Sequence, residues 1–320
     1  MKATPLEFEK PIAELEKQLE EIVRQSASQD IDLDPEVRAM RRKIEETRSE
    51  IYLNLTAWQR VQIARHTGRP FMLDYLALCF EDFVELKGDR LFGDDAAMPG
   101  GFATLRGIRC VVVGHQKGRN TKENLQRNFG SAHPEGYRKA LRLMRLAERF
   151  HLPVVALVDT PGAFPGVGAE ERHIAEAIAV NLREMMTLRT PVVAAVIGEG
   201  GSGGALGIAV ADRVLMLENA YYSVISPEGC AAILWKHRSH APDAAEALKL
   251  TAGHLRELEL IDEVVPEPEG GAHHDPQGAA DRLADCIERG LRELMEVPID
   301  QLLESRYAKF RRMGRFAEGT

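Results

Sequence analysis

The chain has 320 residues, 44% of them hydrophobic and 28% charged, and this composition is typical of a globular protein with a substantial core. Its formal net charge of −8 argues against nucleic acid as the main partner. The N-terminal segment is charged and has no apolar signal core, and no apolar run reaches the ~18 residues that span a bilayer. We therefore expect a cytoplasmic protein without a membrane partner.

The cysteines and histidines form no recognisable metal motif. The cysteines are scattered and include no C-x-x-C pair, which favours reduced thiols. His273 and His274 are adjacent, so we expect their side chains to point in different directions and to make a poor metal pair. The sequence therefore predicts no metal in this chain. The four cysteines are Cys79, Cys110, Cys230 and Cys286.

Two helical segments precede the main body. Apolar residues recur at helical spacing from Ile12 to Val23 and again from Val37 to Leu55, on either side of a polar break over residues 26–35. Because such narrow apolar stripes cannot make a domain alone, we expect residues 1–68 to form a helical hairpin that packs on the main body or on another subunit. A solvated charged arm is the alternative.

Strands and helices alternate through the main body. Buried strands are predicted at residues 108–115, 154–158 and 192–197, with amphipathic helices at residues 133–150 and 170–188 between them. This alternation predicts an α/β fold in which ligands collect at the carboxyl ends of the strands. We expect this α/β domain to span residues 69–296 and a basic, exposed helical tail to follow over residues 297–320.

The most informative stretch is a run of five glycines in seven positions, from Gly198 to Gly204. It lies between the strand at residues 192–197 and a small-residue apolar segment, 205–211, that is expected to be a buried helix. The first N–H groups of a helix lack internal partners, and glycines let a ligand approach the backbone closely. The pattern therefore predicts an anion-binding turn, with a tight packing turn as the alternative.

Two short motifs suggest other chemistry. The segment from Gly200 to Gly204 satisfies G-x-S-x-G, the nucleophile elbow of serine hydrolases, with Ser202 as nucleophile. In a serine hydrolase the acid of the catalytic triad would be Asp212 or Asp243, and the histidine would be His237, His240 or His254. None of these residues lies in a recognisable loop at the end of a strand.

The segment Asp159-Thr160-Pro161-Gly162 resembles the D-x-x-G switch of GTP-binding proteins, yet the chain has no G-x-x-x-x-G-K-[ST] loop. A proline-fixed turn at the end of a strand is one alternative. The other is that the backbone amides of this segment line the same pocket as the glycine run.

Two further groups of residues are candidates for a binding site. The segment Ser226-Pro227-Glu228-Gly229 has the signature of a helix start, with a capping serine and a proline in the first turn. A basic cluster in an otherwise acidic chain is expected to contact a phosphate or carboxylate ligand or a subunit interface, or to be a solvated loop. This basic cluster consists of Lys117, Arg119, Lys122 and Arg127.

Several long motifs in a fixed order resemble the α subunits of bacterial acetyl-CoA carboxylase carboxyltransferase, members of the crotonase superfamily. The resemblance extends over nearly the whole chain and implies a crotonase-like ββα spiral with an N-terminal helical hairpin. The motifs are KGRNTKENLQRNFG (117–130), PEGYRKALRLM (134–144), DTPGAFPGVGAEER (159–172), IGEGGSGGALGIAVADRV (197–214) and YSVISPEGCAAILWK (222–236).

The resemblance implies a reaction and its partners. Carboxybiotin on a biotin carboxyl carrier protein passes its carboxyl group to acetyl-CoA, giving malonyl-CoA for fatty acid biosynthesis. The active site then lies between this chain and a related β subunit that carries zinc, in an α2β2 heterotetramer that works with biotin carboxylase in a larger complex. A related biotin-dependent acyl-CoA carboxyltransferase or decarboxylase and a non-catalytic scaffold subunit are the alternatives.

The resemblance also suggests roles for the candidate residues. Loss of carboxylate from carboxybiotin leaves an anionic ureido oxygen, which two preorganised N–H donors stabilise. We assign this oxyanion hole to the backbone N–H groups of Gly203 and Gly204. The expected biotin and substrate pocket consists of Gly200, Gly201, Ser202, Pro161, Gly162, Ala163, Ser226, Pro227, Glu228 and Gly229.

Overall fold

The computed structural model describes residues 4–29 and 34–314, so residues 30–33 of the predicted break at residues 26–35 and the last six residues of the chain lie outside it. None of the described helices is long and apolar enough to span a bilayer. The strands are β1 (Glu81–Glu85), β2 (Gly100–Leu105), β3 (Ile108–Gly114), β4 (Val154–Thr160), β5 (Val192–Gly201), β6 (Arg213–Leu217), β7 (Tyr221–Ser223) and β8 (Glu263–Val265).

The described residues also form fourteen α-helices. They are α1 (Lys10–Gln29), α2 (Asp34–Leu53), α3 (Ala57–Ala64), α4 (Met72–Cys79), α5 (Thr121–Gln126), α6 (Pro134–Arg149), α7 (Val167–Glu171), α8 (Ile174–Thr187), α9 (Ser202–Leu206), α10 (Pro227–Leu234), α11 (Ala241–Ala247), α12 (Ala252–Glu257), α13 (Pro276–Met295) and α14 (Ile299–Arg312).

The strands form one mixed sheet in the order β1-β2-β3-β4-β5-β6-β8, with β7 paired to β5. The β1–β2 and β2–β3 pairs are antiparallel and the others are parallel. Every residue of β4 and β5 is buried, because helices cover both faces of a parallel sheet and its strands are apolar throughout. The predicted α/β architecture is confirmed.

Strand β5 has two different neighbours along its length. Its first half pairs with β6, from Val193 to Val196, and its last three residues pair with β7, from Glu199 to Gly201. On the other side, β4 follows β5 as far as the pair Thr160 and Gly200. This register brings the ends of β4, β5 and β7 together at one edge of the sheet.

Two predicted helices differ from the observed ones. The helix expected at residues 205–211 is instead the single turn α9, because the chain must turn after Leu206 to bring the Asp212 N–H to the Val192 carbonyl, 2.9 Å away, and to start β6. The helix expected at residues 170–188 is divided into α7 and α8, since His173 has the left-handed φ of 64°.

The C-terminal helix α14 is not the exposed tail that its basic composition suggests. Arg306 is only 1% exposed, and its guanidinium donates to the Asp212 carboxylate at 2.6 and 2.8 Å. It also donates to the carbonyl oxygens of Met185 and Leu188, at the end of α8, at 2.7 and 2.9 Å. The guanidinium therefore satisfies helix-end carbonyls that would otherwise lack donors.

The hairpin of α1 and α2 is attached to the body through a buried carboxylate. Glu9 Oε1 accepts hydrogen bonds from the Tyr52 hydroxyl at 2.5 Å and from His273 Nε2 at 2.9 Å, and Glu9 Oε2 accepts from the Leu6 N–H at 2.7 Å. Burial raises the pKa of Glu9, but these donors outweigh it and hold that pKa well below its usual range.

We expect Glu9→Gln to lower the free energy of unfolding by about 2–4 kcal/mol, because hydrogen bonds to a buried charge are lost. The stabilising contribution of Glu9 is complete above its unfolded pKa of ~4.3 and declines as the pH falls. Hydrogen exchange of α1 measures the effect, and Glu14→Gln, at an exposed position of the same helix, is the control. Equal exchange in both variants would contradict the assignment.

Candidate functional site

The glycine run is an extension of β5 followed directly by a helix turn. Gly198, Gly200 and Gly201 belong to the strand, and α9 begins at Ser202, whose φ of 55° is left-handed. The expectation of a separate glycine turn is therefore wrong, since pairing with β7 keeps the segment extended as far as Gly201. The reversal is concentrated at one residue that is not glycine, which is a strained conformation.

The glycines allow two backbone segments to touch. A Cβ atom on Gly201 would lie 2.2 Å from the Pro161 carbonyl oxygen, and one on Gly204 would lie 2.4 Å from the Ala163 nitrogen. No side chain fits at either position, so the segment 161–163 after β4 packs directly against the start of α9. The structure thus brings together two of the predicted groups of pocket residues.

Gly203 is in a different environment from its neighbours. A Cβ atom there would meet nothing closer than Ile178 carbons at 3.9 Å. Gly203 and Ser202 line an apolar cavity of about 430 Å³, to which β7 and α14 also contribute. Packing alone does not require glycine at this position. The other residues lining this cavity are Leu206, Ala209, Val214, Tyr222, Ser223, Val224, Leu255, Leu260, Phe310 and Met313.

Ser202 has no base beside it. Its hydroxyl makes no hydrogen bond within the described part of the chain, whereas a nucleophilic serine is bonded to a histidine. The nominated His240 contacts Asp243 at 2.8 Å, His237 contacts Ser239, and His254 contacts Thr251. The arrangement does not support a serine hydrolase.

A buried ammonium group links the ends of β4 and β5. Lys117 Nζ donates to Asp159 Oδ1 at 2.6 Å and to Glu199 Oε1 at 2.8 Å, and the Glu199 N–H donates to Asp159 Oδ1 at 2.9 Å. Although burial lowers the pKa of Lys117, the two carboxylates outweigh burial and raise it, so the amine stays charged. Lys117 is therefore an internal cation rather than a surface group.

Arg65 continues this network to the start of α10. It donates to Glu199 Oε2 at 2.7 Å and to Glu228 Oε1 at 2.5 Å, while the Tyr221 hydroxyl donates to Glu199 Oε2 at 2.7 Å. Burial raises the pKa of Glu199, but the charges of Lys117 and Arg65 lower it to about 2. Glu228 is thus paired with Arg65 in this structure.

The segment 226–229 caps its helix as predicted from the sequence. The Ser226 hydroxyl accepts from the Gly229 N–H at 3.1 Å, and Pro227 is the first residue of α10. None of these residues lines the cavity beside Gly203. They connect to it through Arg65 and β7.

The other three residues of the basic cluster have separate surroundings. Arg119 pairs with Asp74 and donates to the Arg69 carbonyl oxygen at 2.8 Å, and Arg127 donates to the Ala96 carbonyl oxygen at 2.8 Å. Lys122 is exposed on α5. The four members of the basic cluster therefore do not converge on one ligand.

Sequence reasoning missed a buried histidine behind α9. His115 is fully buried, and neither ring nitrogen has a hydrogen-bond partner in the described structure. Burial, followed by the charge of Lys117, lowers the pKa of His115 to about 3, so the ring is neutral. Tyr137 packs beside it and donates its hydroxyl to the Gly204 carbonyl oxygen at 3.0 Å. The sequence feature that could have identified His115 is its position directly after an apolar strand.

One group of side chains could in principle hold a metal. Ligand atoms of Glu9, His66 and His273 lie within 4.8 Å of one another. His273 and His274 both face Glu9 Oε1, so the expectation that they point in different directions is wrong; the turn at Gly270 and Gly271, both with positive φ, brings their rings together.

These ligand atoms are already used in hydrogen bonds. His66 Nδ1 accepts from the Gly68 N–H at 3.1 Å, so its Nε2 carries the proton and donates to the Thr4 carbonyl oxygen at 3.0 Å. The Glu9 carboxylate contacts donors of four residues, Leu6, Tyr52, His273 and His274. In this structure the group joins the hairpin to the body through these hydrogen bonds.

We expect Lys117→Met to reduce the free energy of unfolding by about 3–5 kcal/mol, because two buried carboxylates lose their shared cation. Urea denaturation measures the loss. Lys122→Met, at the exposed position on α5, is the matched control and should cost less than about 0.5 kcal/mol. Equal stability of the two variants would show that the ammonium does not hold the strand ends together.

Comparison with known proteins identifies the family of the chain. Residues 5–314 match the family described as acetyl co-enzyme A carboxylase carboxyltransferase-like. The chain is 58% identical over 313 residues to the acetyl-coenzyme A carboxylase carboxyl transferase subunit alpha of Geobacter metallireducens, covering 98% of each chain. It is 57% identical to the same subunit of Thermus thermophilus, over 98% of this chain and 99% of that one.

Solved structures with lower identity share the fold. Transcarboxylase 12S aligns with a TM-score of 0.57 and 20% identity, over 72% of this chain and 44% of that longer chain. A Pseudomonas malonate decarboxylase hetero-tetramer in complex with coenzyme A aligns with a TM-score of 0.54 and 18% identity, over 69% of this chain and 91% of that one. The predicted crotonase-like fold is confirmed, and the chain belongs to the family of acetyl-CoA carboxylase carboxyltransferase α subunits.

Proposed function

We propose that the chain is the α subunit of the carboxyltransferase component of acetyl-CoA carboxylase, which transfers a carboxyl group from carboxybiotin to acetyl-CoA and forms malonyl-CoA. The observation that carries this proposal is the family match over residues 5–314. The open backbone at Gly203 beside an apolar cavity supports a site for the biotin ring at this edge of the sheet.

The proposed chemistry uses backbone groups. The N–CO₂ bond of carboxybiotin breaks and leaves negative charge on the ureido oxygen. Ser202, Gly203 and Gly204 form the first turn of α9, so their N–H groups have no partner within the helix. We assign the N–H groups of Gly203 and Gly204 to this oxygen. The freed biotin nitrogen takes a proton from the acetyl methyl group, and the resulting carbanion forms the new C–C bond with CO₂.

This chemistry requires that water be kept from the cavity, and other subunits are proposed to do so. Two exposed apolar side chains offer a surface for such a subunit: Val224, which follows β7 and lines the cavity, is 78% exposed, and Leu234 at the end of α10 is 66% exposed. We propose that a β subunit covers them in an α2β2 heterotetramer, that zinc belongs to that subunit, and that the biotin carboxyl carrier protein and biotin carboxylase complete the complex.

The proposed location is the cytoplasm. All four cysteines are free thiols in the structure, which suits a reducing compartment. Acetyl-CoA is the proposed acceptor, and a comparison of turnover with acetyl-CoA and longer acyl-CoA esters distinguishes it from a related acyl-CoA carboxyltransferase.

Gly203→Val tests the assignment of the oxyanion hole. An added Cβ at Gly203 would meet no atom closer than 3.9 Å, so we expect the free energy of unfolding to change by less than about 1 kcal/mol. The side chain would enter the cavity, and malonyl-CoA decarboxylation with free biotin, measured with the partner β subunit, should fall by at least about 10²-fold. Gly253→Val is the control, because Gly253 is an exposed helical glycine outside the cavity, and an added Cβ there would have no atom within 4 Å.

Unchanged turnover in Gly203→Val would contradict the assignment and favour a scaffold role. Gly204→Val is a poorer probe than the sequence suggests. Its Cβ would lie 2.4 Å from the Ala163 nitrogen, so we do not expect this variant to keep the native fold. Loss of activity in Gly204→Val alone therefore says nothing about catalysis.

We expect Ser202→Ala to change turnover by less than about twofold, because the hydroxyl has no base to activate it. Replacement by glycine should also be tolerated, since the φ of 55° suits glycine. Steady-state kinetics of both variants and labelling of the native complex with a fluorophosphonate provide the measurements. Covalent labelling at Ser202 would contradict this expectation and support the serine hydrolase hypothesis.

A further inference from the structure

A second cavity, which shares no lining residue with the cavity beside Gly203, is unusually rich in arginine. It has a volume of about 600 Å³ and is bordered by α6, α8 and the loop at residues 89–91. Four arginines share one face of α6 at helical spacing, and a fifth comes from the loop. These arginines are Arg90, Arg138, Arg142, Arg145 and Arg149.

Two of the five arginines are neutralised within the chain. Arg138 pairs with the buried carboxylate of Asp89 at 2.8 Å, and Arg145 pairs with Glu184 at 2.8 Å. These two residues explain the shape of the groove, because the first holds the loop against α6 and the second joins α6 to α8.

The other three arginines have no carboxylate partner among the residues that the structure describes. Arg142 donates to the Gly88 carbonyl oxygen at 3.0 Å, Arg90 donates to the Lys87 carbonyl oxygen at 2.8 Å, and Arg149 is exposed without a partner. Burial and then the positive charge of Arg90 lower the pKa of Arg142. The charges of Asp89 and Asp94 oppose this shift without reversing it. Asp89 and Glu176 also line the groove, but the five arginines outnumber them, so the groove keeps a net positive charge in a chain whose net charge is −8.

The floor of the groove is apolar. Leu141, Leu146 and Val180 line it, and Leu91, 78% exposed, stands at its rim. A solvated basic helix face would not require an apolar floor between its charges. The combination suits a ligand with an organic part and several anionic groups. A guanidinium group can donate two parallel hydrogen bonds to the oxygens of one phosphate group.

We propose that this groove binds an organic polyphosphate, with Arg90, Arg142 and Arg149 contacting its phosphate groups and Leu141, Leu146 and Val180 contacting its organic part. The site is separate from the carboxyltransferase chemistry, because none of the residues that line it lines the cavity beside Gly203. The proposal therefore stands or falls independently of the function proposed above.

Titration calorimetry of the purified full-length chain tests the site with three probes: inorganic tripolyphosphate, ATP and coenzyme A. We expect at least one of the two organic polyphosphates to bind more tightly than tripolyphosphate, because only they can use the apolar floor. The affinity should fall as salt is added. Absence of binding by all three probes, or tightest binding of tripolyphosphate, would overturn the proposal.

The variant Arg90→Gly/Arg149→Ala removes two charges with little effect on folding, since Arg90 has a left-handed φ of 67° and Arg149 has no partner in the described structure. We expect it to weaken binding at least tenfold. The control variant Arg109→Ala/Arg311→Ala removes two exposed charges outside the groove and should bind as the native chain does. Equal weakening in both variants would show a non-specific charge effect and reject the site.

Discussion

The ammonium group of Lys117 is the interaction on which the candidate site depends. It bridges Asp159 at the end of β4 and Glu199 near the end of β5, and both carboxylates are buried. Two neighbouring carboxylates would repel each other in this environment, and one of them would take up a proton. With the ammonium between them, the two strand ends can lie side by side. Arg65 forms ion pairs with both Glu199 and Glu228 and so links β5 to α10.

Fixing the strand ends is what makes the backbone contacts of the site possible. The segment 161–163 follows Asp159 almost directly, and Gly201 and Gly204 follow Glu199 within five residues. Their close approach leaves no room for a Cβ atom at Gly201 or Gly204, and the left-handed backbone at Ser202 turns the chain between them. An added Cβ would also lie 2.5 Å from Asp159 Oδ1 at Gly198 and 2.9 Å from a Tyr222 carbon at Gly200. Packing therefore accounts for four of the five glycines, while a Cβ at Gly203 would meet nothing closer than 3.9 Å. A functional reading of the glycine run should rest on Gly203 and not on the number of glycines.

The sequence predicts those parts of the fold in which the signal is local. Continuous apolar runs predicted β4 and β5, and helical periodicity predicted the hairpin helices and α6. Strand β1 was missed because its residues, EDFVE, are mostly polar and exposed. Arg306 was expected to be exposed because its burial depends on carbonyl groups and a carboxylate that lie about a hundred residues away in sequence. At the site, the glycines were predictable, whereas the partners of Lys117 depend on the pairing of β4 with β5.

Side-chain hydrogen bonds fix strand β5 at both ends, which makes the backbone of the candidate site rigid. At its carboxyl end Glu199 is bonded to Lys117, Arg65 and Tyr221, and at its amino end the Thr190 carbonyl and Asp212 are bonded to the buried Arg306 of α14. The same helix α14 places Phe310 and Met313 on the wall of the cavity beside Gly203. Donors stabilise a developing anion most when they need not reorganise during the reaction. A strand fixed at both ends would supply that rigidity to the backbone N–H groups that we propose as donors to the ureido oxygen.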